Sequence, residues 1–252
     1  MDPVKVFLDE GALDGTARFP SACAVVVKDD LAVAQQIEEL IHELSLRPDF
    51  QLERGASLLE KTGFHHVEDN VLAAEGFRKL MPSIDFDWWC SSNLEPGKDP
   101  YDQLPDQFSW LVTGIMQKYK ARDVVFVFEQ NQRLNTLFAK IVEDGARKAK
   151  VSPKLASFRV GTKADKVLSV ADYCMAYASQ AIRFWINDCC DTEKFRSRFQ
   201  YRDFALLETS CSTLFAYNYN KAISNRSIRM LDHSFPSVSG FHQPSCSQAG
   251  KP

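Results

Sequence analysis

Residues 123–129 read DVVFVFE, five apolar residues in an unbroken run between two acids. An amphipathic helix would interrupt such a run with polar positions, and a half-exposed strand would alternate, so the segment reads as a strand covered on both faces. Such a strand belongs inside a sheet with helices on each side, which makes the chain α/β. It leaves Glu129 at the far end of a buried layer. Residues 4–10, VKVFLDE, have the same character: an apolar run ends in Asp9 and Glu10, and Gly11 stops it. Ligands of open α/β sheets bind at strand ends of this kind. A carboxylate pair there is also what a solvated turn presents, so these acids gain meaning only if others converge on them.

The remaining elements follow from periodicity. FPSACAVVV is a second strand returning beside the first, with Lys28-Asp29-Asp30 closing the hairpin and Asp30 placed to cap a helix over 31–46. A short helix through Leu58 and Leu59 ends at Gly63. Phe64-His65-His66 then forms a loop or short extended piece, in which two adjacent histidines cannot point the same way. A helix is expected from Asp69 to Leu80, and SIDFDWWC (83–90) is a third strand with Ile84, Phe86 and Trp88 on one face. Further helices are expected over 101–119, starting after Pro105, and over 131–150, with a last short strand at 155–160.

Residues 165–185 form a helix that is apolar nearly all round, so it is buried. Asp172 is its one early acid. An isolated buried carboxylate costs several kcal/mol unless it is neutralised, paired or placed on a cation. Asp172 therefore either meets a buried Arg or Lys, caps a neighbouring loop, or joins other acids around a metal. Beyond it, residues 186–234 read as a helical extension with a helix at 205–219, and 235–252, rich in Ser, Gly, Pro and Gln, as a disordered tail.

The bulk properties narrow the choice of class. At 252 residues the chain can bury one sizeable core, so 1–185 is read as a single domain. Its net charge of −3 excludes a uniformly basic coat for nucleic acid but not a local groove. No apolar run reaches the roughly 18 residues that span a bilayer, and the acids in 1–10 are unlike a signal peptide, so a cytoplasmic location is expected. The seven cysteines are odd in number and lack a CxxC pair, which favours buried or idle thiols over a zinc site or disulfide framework. With no GxSxG and no ordered Cys/His signature, hydrolysis through a Ser or Cys nucleophile is set aside.

Asp9, Glu129 and Asp172 thus stand at comparable ends of elements. Three acids within a few Å cannot all stay ionised without a cation, and an oxygen-only set with water-filled positions suits Mg²⁺ or Mn²⁺. Carboxylate-held ions of that kind drive phosphodiester hydrolysis. The alternative is a non-catalytic binding protein with a protein partner or a second copy of itself, whose acids are structural and whose aromatics (Phe195, Phe199, Tyr201, Phe204, Tyr217, Tyr219) serve either core or interface.

Four pieces in order, VFLDEG, GFHHVEDN, VVFVFEQN, and Lys163 with VADYCMAY, resemble the bacterial and phage proteins grouped as domain of unknown function 3800. The resemblance spans roughly residues 3–185 and implies a ribonuclease H-like mixed sheet flanked by helices. It implies Asp9, Glu10, Glu129 and Asp172 as metal-binding acids and His65 as the histidine of a Phe-His element. It also implies Lys163 as a basic residue close to the scissile phosphate of a nucleic acid. Gly11-Ala12-Leu13-Asp14 departs from the family's Asp-Glu-Ser-Gly-Asp, and either Glu53-Arg54 or Glu60-Lys61 stands where the family often has Glu-x-Lys.

Overall fold

A computed structural model describes residues 2–11, 20–51, 56–93, 99–162, 165–188, 206–218 and 221–225. The strands are β1 (Val4–Gly11), β2 (Ser21–Val27), β3 (Phe86–Asn93), β4 (Val124–Phe128), β5 (Ala156–Val160), β6 (Cys211–Asn218) and β7 (Lys221–Asn225). They form one mixed sheet in the order β5-β4-β1-β2-β3-β6-β7. β1, β2 and β3 are an antiparallel meander, and β4 and β5 add in parallel on the free side of β1. A three-strand meander extended from its first strand by two parallel strands is the ribonuclease H-like arrangement, and helices flank the sheet as expected.

The helices are α1 (Asp30–Ser45), α2 (Pro48–Gln51), α3 (Ala56–Thr62), α4 (Val71–Leu80), α5 (Pro100–Lys118), α6 (Phe138–Lys148) and α7 (Leu168–Asp188). Strand alternation divides the core in two. Val4, Val6, Leu8, Phe126 and Phe128 pack with α5 and α6 on one face, whereas Phe7, Val127, Trp88 and Cys90 pack with α1, α4 and α7 on the other. Asp9 and Glu129 share the parity of Phe7 and Val127, so both turn toward α7. Ile84, Phe86 and Trp88 lie together in that same core, as their alternation predicts.

Several boundaries differ from the sequence expectation for local reasons. The carboxylate that caps α1 is Asp29, which accepts from the backbone N–H of Leu31 and Ala32, so Asp30 is the first helical residue. α5 begins at Pro100 under an Asp99 cap and carries Pro105 inside it rather than starting after it. α6 starts at Phe138, because Asn131 accepts from the Arg133 and Leu134 N–H groups and holds 131–137 in turns. The helix expected over 205–219 is not formed at Cys211–Asn218. That segment, CSTLFAYN, is instead β6, parallel to β3, with Cys211 and Leu214 buried, so this part of the expected helical extension is sheet. The expected tail at 235–252 lies outside the described residues. Cys23, Cys90, Cys174 and Cys211 are all buried, in keeping with structural thiols.

The two helices on the β4 side meet closely. A Cβ on Gly145 would stand 2.4 Å from Val112 Cγ1 and 2.8 Å from Val112 Cβ. Gly145→Ala therefore forces α5 and α6 apart, and the expected cost is about 1–3 kcal/mol, read as a lower urea midpoint with an unchanged slope.

Candidate functional site

The parallel β1–β4 pairing sets Leu8 opposite Phe128, and the Glu129 N–H donates to the Leu8 carbonyl at 2.8 Å. The next side chain on each strand, Asp9 and Glu129, therefore leaves the sheet beside the other. Asp9 is only 2% exposed, and its carboxyl is hydrogen-bonded to that of Glu129. Two carboxyls can share a hydrogen bond only if one keeps a proton. Burial, then Glu129, and then the charges of Asp172 and Glu10 hold Asp9 well above the usual carboxylate range. Its Oδ1 also accepts from the Glu10 N–H at 2.7 Å.

α7 brings the third acid. Asp172 is 6% exposed and lines one small pocket with Asp9, Glu129 and His65. Burial raises it, the neighbouring histidines and the His66 N–H pull it down, and the charge of Glu129 pushes it up. Its Oδ2 accepts from the His66 backbone N–H at 2.7 Å, and His65 Nδ1 lies 3.5 Å from the same oxygen. The described partners of Asp172 are thus the two histidines and not an Arg or Lys. Asp165 also lines the pocket, but Arg159 grips it and holds it below the usual carboxylate range, so it does not join the raised set.

The histidine loop is fastened to one face of α7 by residues at i, i+3 and i+4. Ser169 Oγ donates to the Phe64 carbonyl at 2.7 Å, Asp172 takes the His66 N–H, and the Tyr173 hydroxyl donates to Asp69 Oδ2. Asp69 Oδ2 also accepts from the His65 N–H at 3.0 Å. Burial raises Asp69 to about 6 against the pull of those bonds. The helix expected to start at Asp69 is capped instead by Asn70, which accepts from the Ala73 N–H, and Asp69 belongs to the site's support. Asp69 and Tyr173 are functional neighbours that sequence reasoning misses, and the polarity of VEDN beside a buried Tyr is the signal for them.

Glu10 faces away from Asp9, as adjacent residues on a strand must. It is not among the residues lining the pocket. Its Oε1 accepts from Asn131 Nδ2 at 2.6 Å, while Oε2 is buried with no partner. Burial raises it to about 7, opposed by the Asn131 bond and aided by Glu129. Lys163, Asp14 and Glu53 lie outside the described residues, and Glu60 is exposed on α3.

Glu10 makes a pH prediction. The unfolded chain releases this proton near 4.5 and the folded protein near 7, so the folded state holds the extra proton in between. Its contribution is intact below about 4.5 and is lost as pH rises toward 7, up to about 3 kcal/mol. Glu10→Gln keeps the acceptor for Asn131 and removes the titration, so its stability falls less than that of wild type between pH 4.5 and 7.5 in urea unfolding.

As the side chains stand, no three His, Cys, Asp or Glu among the described residues surround a common point as metal ligands would. The donor chemistry nevertheless fits a hard divalent ion: Asp9 and Glu129 meet side by side, and Asp172 lines the same pocket with a further carboxylate. Among the described residues no helix is long and apolar enough to cross a membrane. Compared with protein-family models, with curated proteins and with solved structures, the chain shows no match.

Proposed function

We propose that this pocket takes a Mg²⁺ or Mn²⁺ ion and that the protein is a metal-dependent nuclease or related phosphoryl-transfer enzyme. The observation that carries the reading is the side-chain contact of buried Asp9 with Glu129, next to an Asp172 whose described partners are histidines. Asp9 and Glu129 would hold the ion, with Asp172 beside them. When bound, such an ion lowers the pKa of a water and stabilises the leaving oxygen of a phosphodiester. The protein's own part is to assemble the acids on two parallel strands and a buried helix. Phe64 and Leu168 limit water in the pocket, and His65 stands at its wall. The ribonuclease H-like sheet and the four resembling sequence pieces support the same reading, as the pieces support Lys163 near the phosphate. A cytoplasmic setting is part of the same proposal, and no helix among the described residues is long and apolar enough to cross a membrane.

The test is hydrolysis of single- and double-stranded DNA and RNA by the purified protein with Mn²⁺, Mg²⁺ or EDTA. Cleavage that needs metal and is lost in Asp9→Asn supports the proposal, and no cleavage of any of the four substrates counts against it. One observation favours a second reading, a non-catalytic binding protein on the same scaffold: Asp9 and Glu129 bond to each other. That reading expects a melting temperature indifferent to Mn²⁺.

A further inference from the structure

The histidine loop refines the proposed metal site, and its role there rests on that proposal. Asp172 Oδ2 is already committed to the His66 N–H, and His65 Nδ1 faces the same oxygen from 3.5 Å. That Nδ1 is buried and makes no hydrogen bond among the described residues, so the Asp172 oxygen stands just short of bonding to it. Once Asp172 is ionised it can only accept, so an imidazole that closes this gap carries its hydrogen on Nδ1 and its lone pair on Nε2. The ring lines the pocket that Asp9 and Glu129 also line, and its side chain is 27% exposed, so it is not sealed into the core. His66 cannot take this part, because its ring packs edge-on against Tyr173 and Tyr177 at 5.2 and 5.7 Å between centroids.

The loop that carries His65 is held at Phe64, His65 and His66 by Ser169, Asp69 and Asp172 in turn. A ring pinned at its backbone, with one nitrogen beside a carboxylate, is the starting geometry of a metal-bound histidine, whose far nitrogen donates to a carboxylate. We infer that His65 supplies Nε2 as a nitrogen ligand to the cation, that Asp172 is the positioning residue acting through His65, and that the site selects Mn²⁺ over Mg²⁺. The selectivity follows from the donor set. Two carboxylates and an imidazole suit a transition ion, whereas Mg²⁺ prefers oxygen throughout and keeps its waters.

Pulsed electron paramagnetic resonance of the Mn²⁺-loaded full chain reads the bond directly, as the ¹⁴N modulation of a coordinated imidazole. The expected result is ¹⁴N modulation in wild type and in His66→Ala, and Mn²⁺ binding without it in His65→Ala. His65→Gln, which keeps a polar side chain in the loop, serves as a second variant should alanine impair folding. In both His65 variants the preference for Mn²⁺ over Mg²⁺ falls about tenfold or more, and Asp172→Asn weakens Mn²⁺ binding by about 10–100-fold. Bound Mn²⁺ with no ¹⁴N modulation in wild type, modulation that survives His65→Ala, or unchanged affinity in Asp172→Asn overturns the inference while leaving the cation site in place. No Mn²⁺ uptake by wild type overturns the cation site itself, and this inference with it.

Discussion

The Asp9→Asn protein is expected to melt higher than wild type at pH 8 in EDTA and to show no response to Mn²⁺ or Mg²⁺. In the metal-free wild type, burial and the neighbouring acids raise Asp9, whereas in the unfolded chain it releases its proton in the ordinary carboxylate range. The folded state therefore binds more protons than the unfolded one, and stability falls as pH rises above the ordinary carboxylate range toward the raised folded value. Asparagine has nearly the shape of protonated aspartic acid and donates to Glu129 without taking a proton from solution. Removing a buried charge conflict of this kind is worth about 1–4 kcal/mol, or roughly 2–15 °C in melting temperature for a chain of this size. The gain should vanish below about pH 3, where Asp9 is protonated in both the folded and the unfolded chain. The same substitution deletes the acid at the centre of the proposed metal site. A lower melting point than wild type at pH 8, or a retained Mn²⁺ shift, would contradict this account of Asp9.

The second large effect is mechanical. Phe128 is fully buried, stacks on Phe138 at 4.1 Å and 12°, and meets Phe108 edge-on at 5.3 Å. Phe128→Ala removes the ring on which α5 and α6 both rest, at an expected cost of about 3–5 kcal/mol, a large share of the total stability of a typical domain. Phe128 also pairs with Leu8 and precedes Glu129, so the loosened strand end lies at the acid pocket. Phe128→Leu retains most of the volume and is expected to lose about 1–1.5 kcal/mol. Urea unfolding of the two variants should therefore separate them by at least about 1.5 kcal/mol, and equal losses would show that the aromatic stack contributes little.

The central strands are legible because burial on both faces leaves a sequence mark that few other structures produce. DVVFVFE and VKVFLDE are β4 and β1, and their parallel register is what makes neighbours of Asp9 and Glu129. Asp172 is legible for a related reason: an acid in an otherwise apolar helix has to be answered by something. What answers it is less visible. A backbone N–H from His66 and the support from Asp69 depend on how the loop after Gly63 turns, with Gly63 at φ 74, and no periodicity reports that. Glu10 groups with Asp9 when adjacency in sequence is the guide, yet a strand sends neighbours to opposite faces, and Asn131 meets it there. β6 reads as helix because CSTLFAYN has apolar residues at spacings that suit a helix as well as a strand, and only its pairing with β3 decides between them. Pro105 suggests a helix start, but the helix has already begun at Pro100 under the Asp99 cap.

The acids of the pocket come from positions 9, 129 and 172, and α7 is the last of the contributing elements in the chain. During synthesis the first two carboxylates can meet as soon as β4 docks on β1, while water still reaches them and both can ionise freely. Only when α7 settles across them does the surrounding dielectric fall and a proton or an ion become obligatory. Burial of the two strand acids is therefore tied to the docking of one helix, and the proposed cation would have to enter before or with that step.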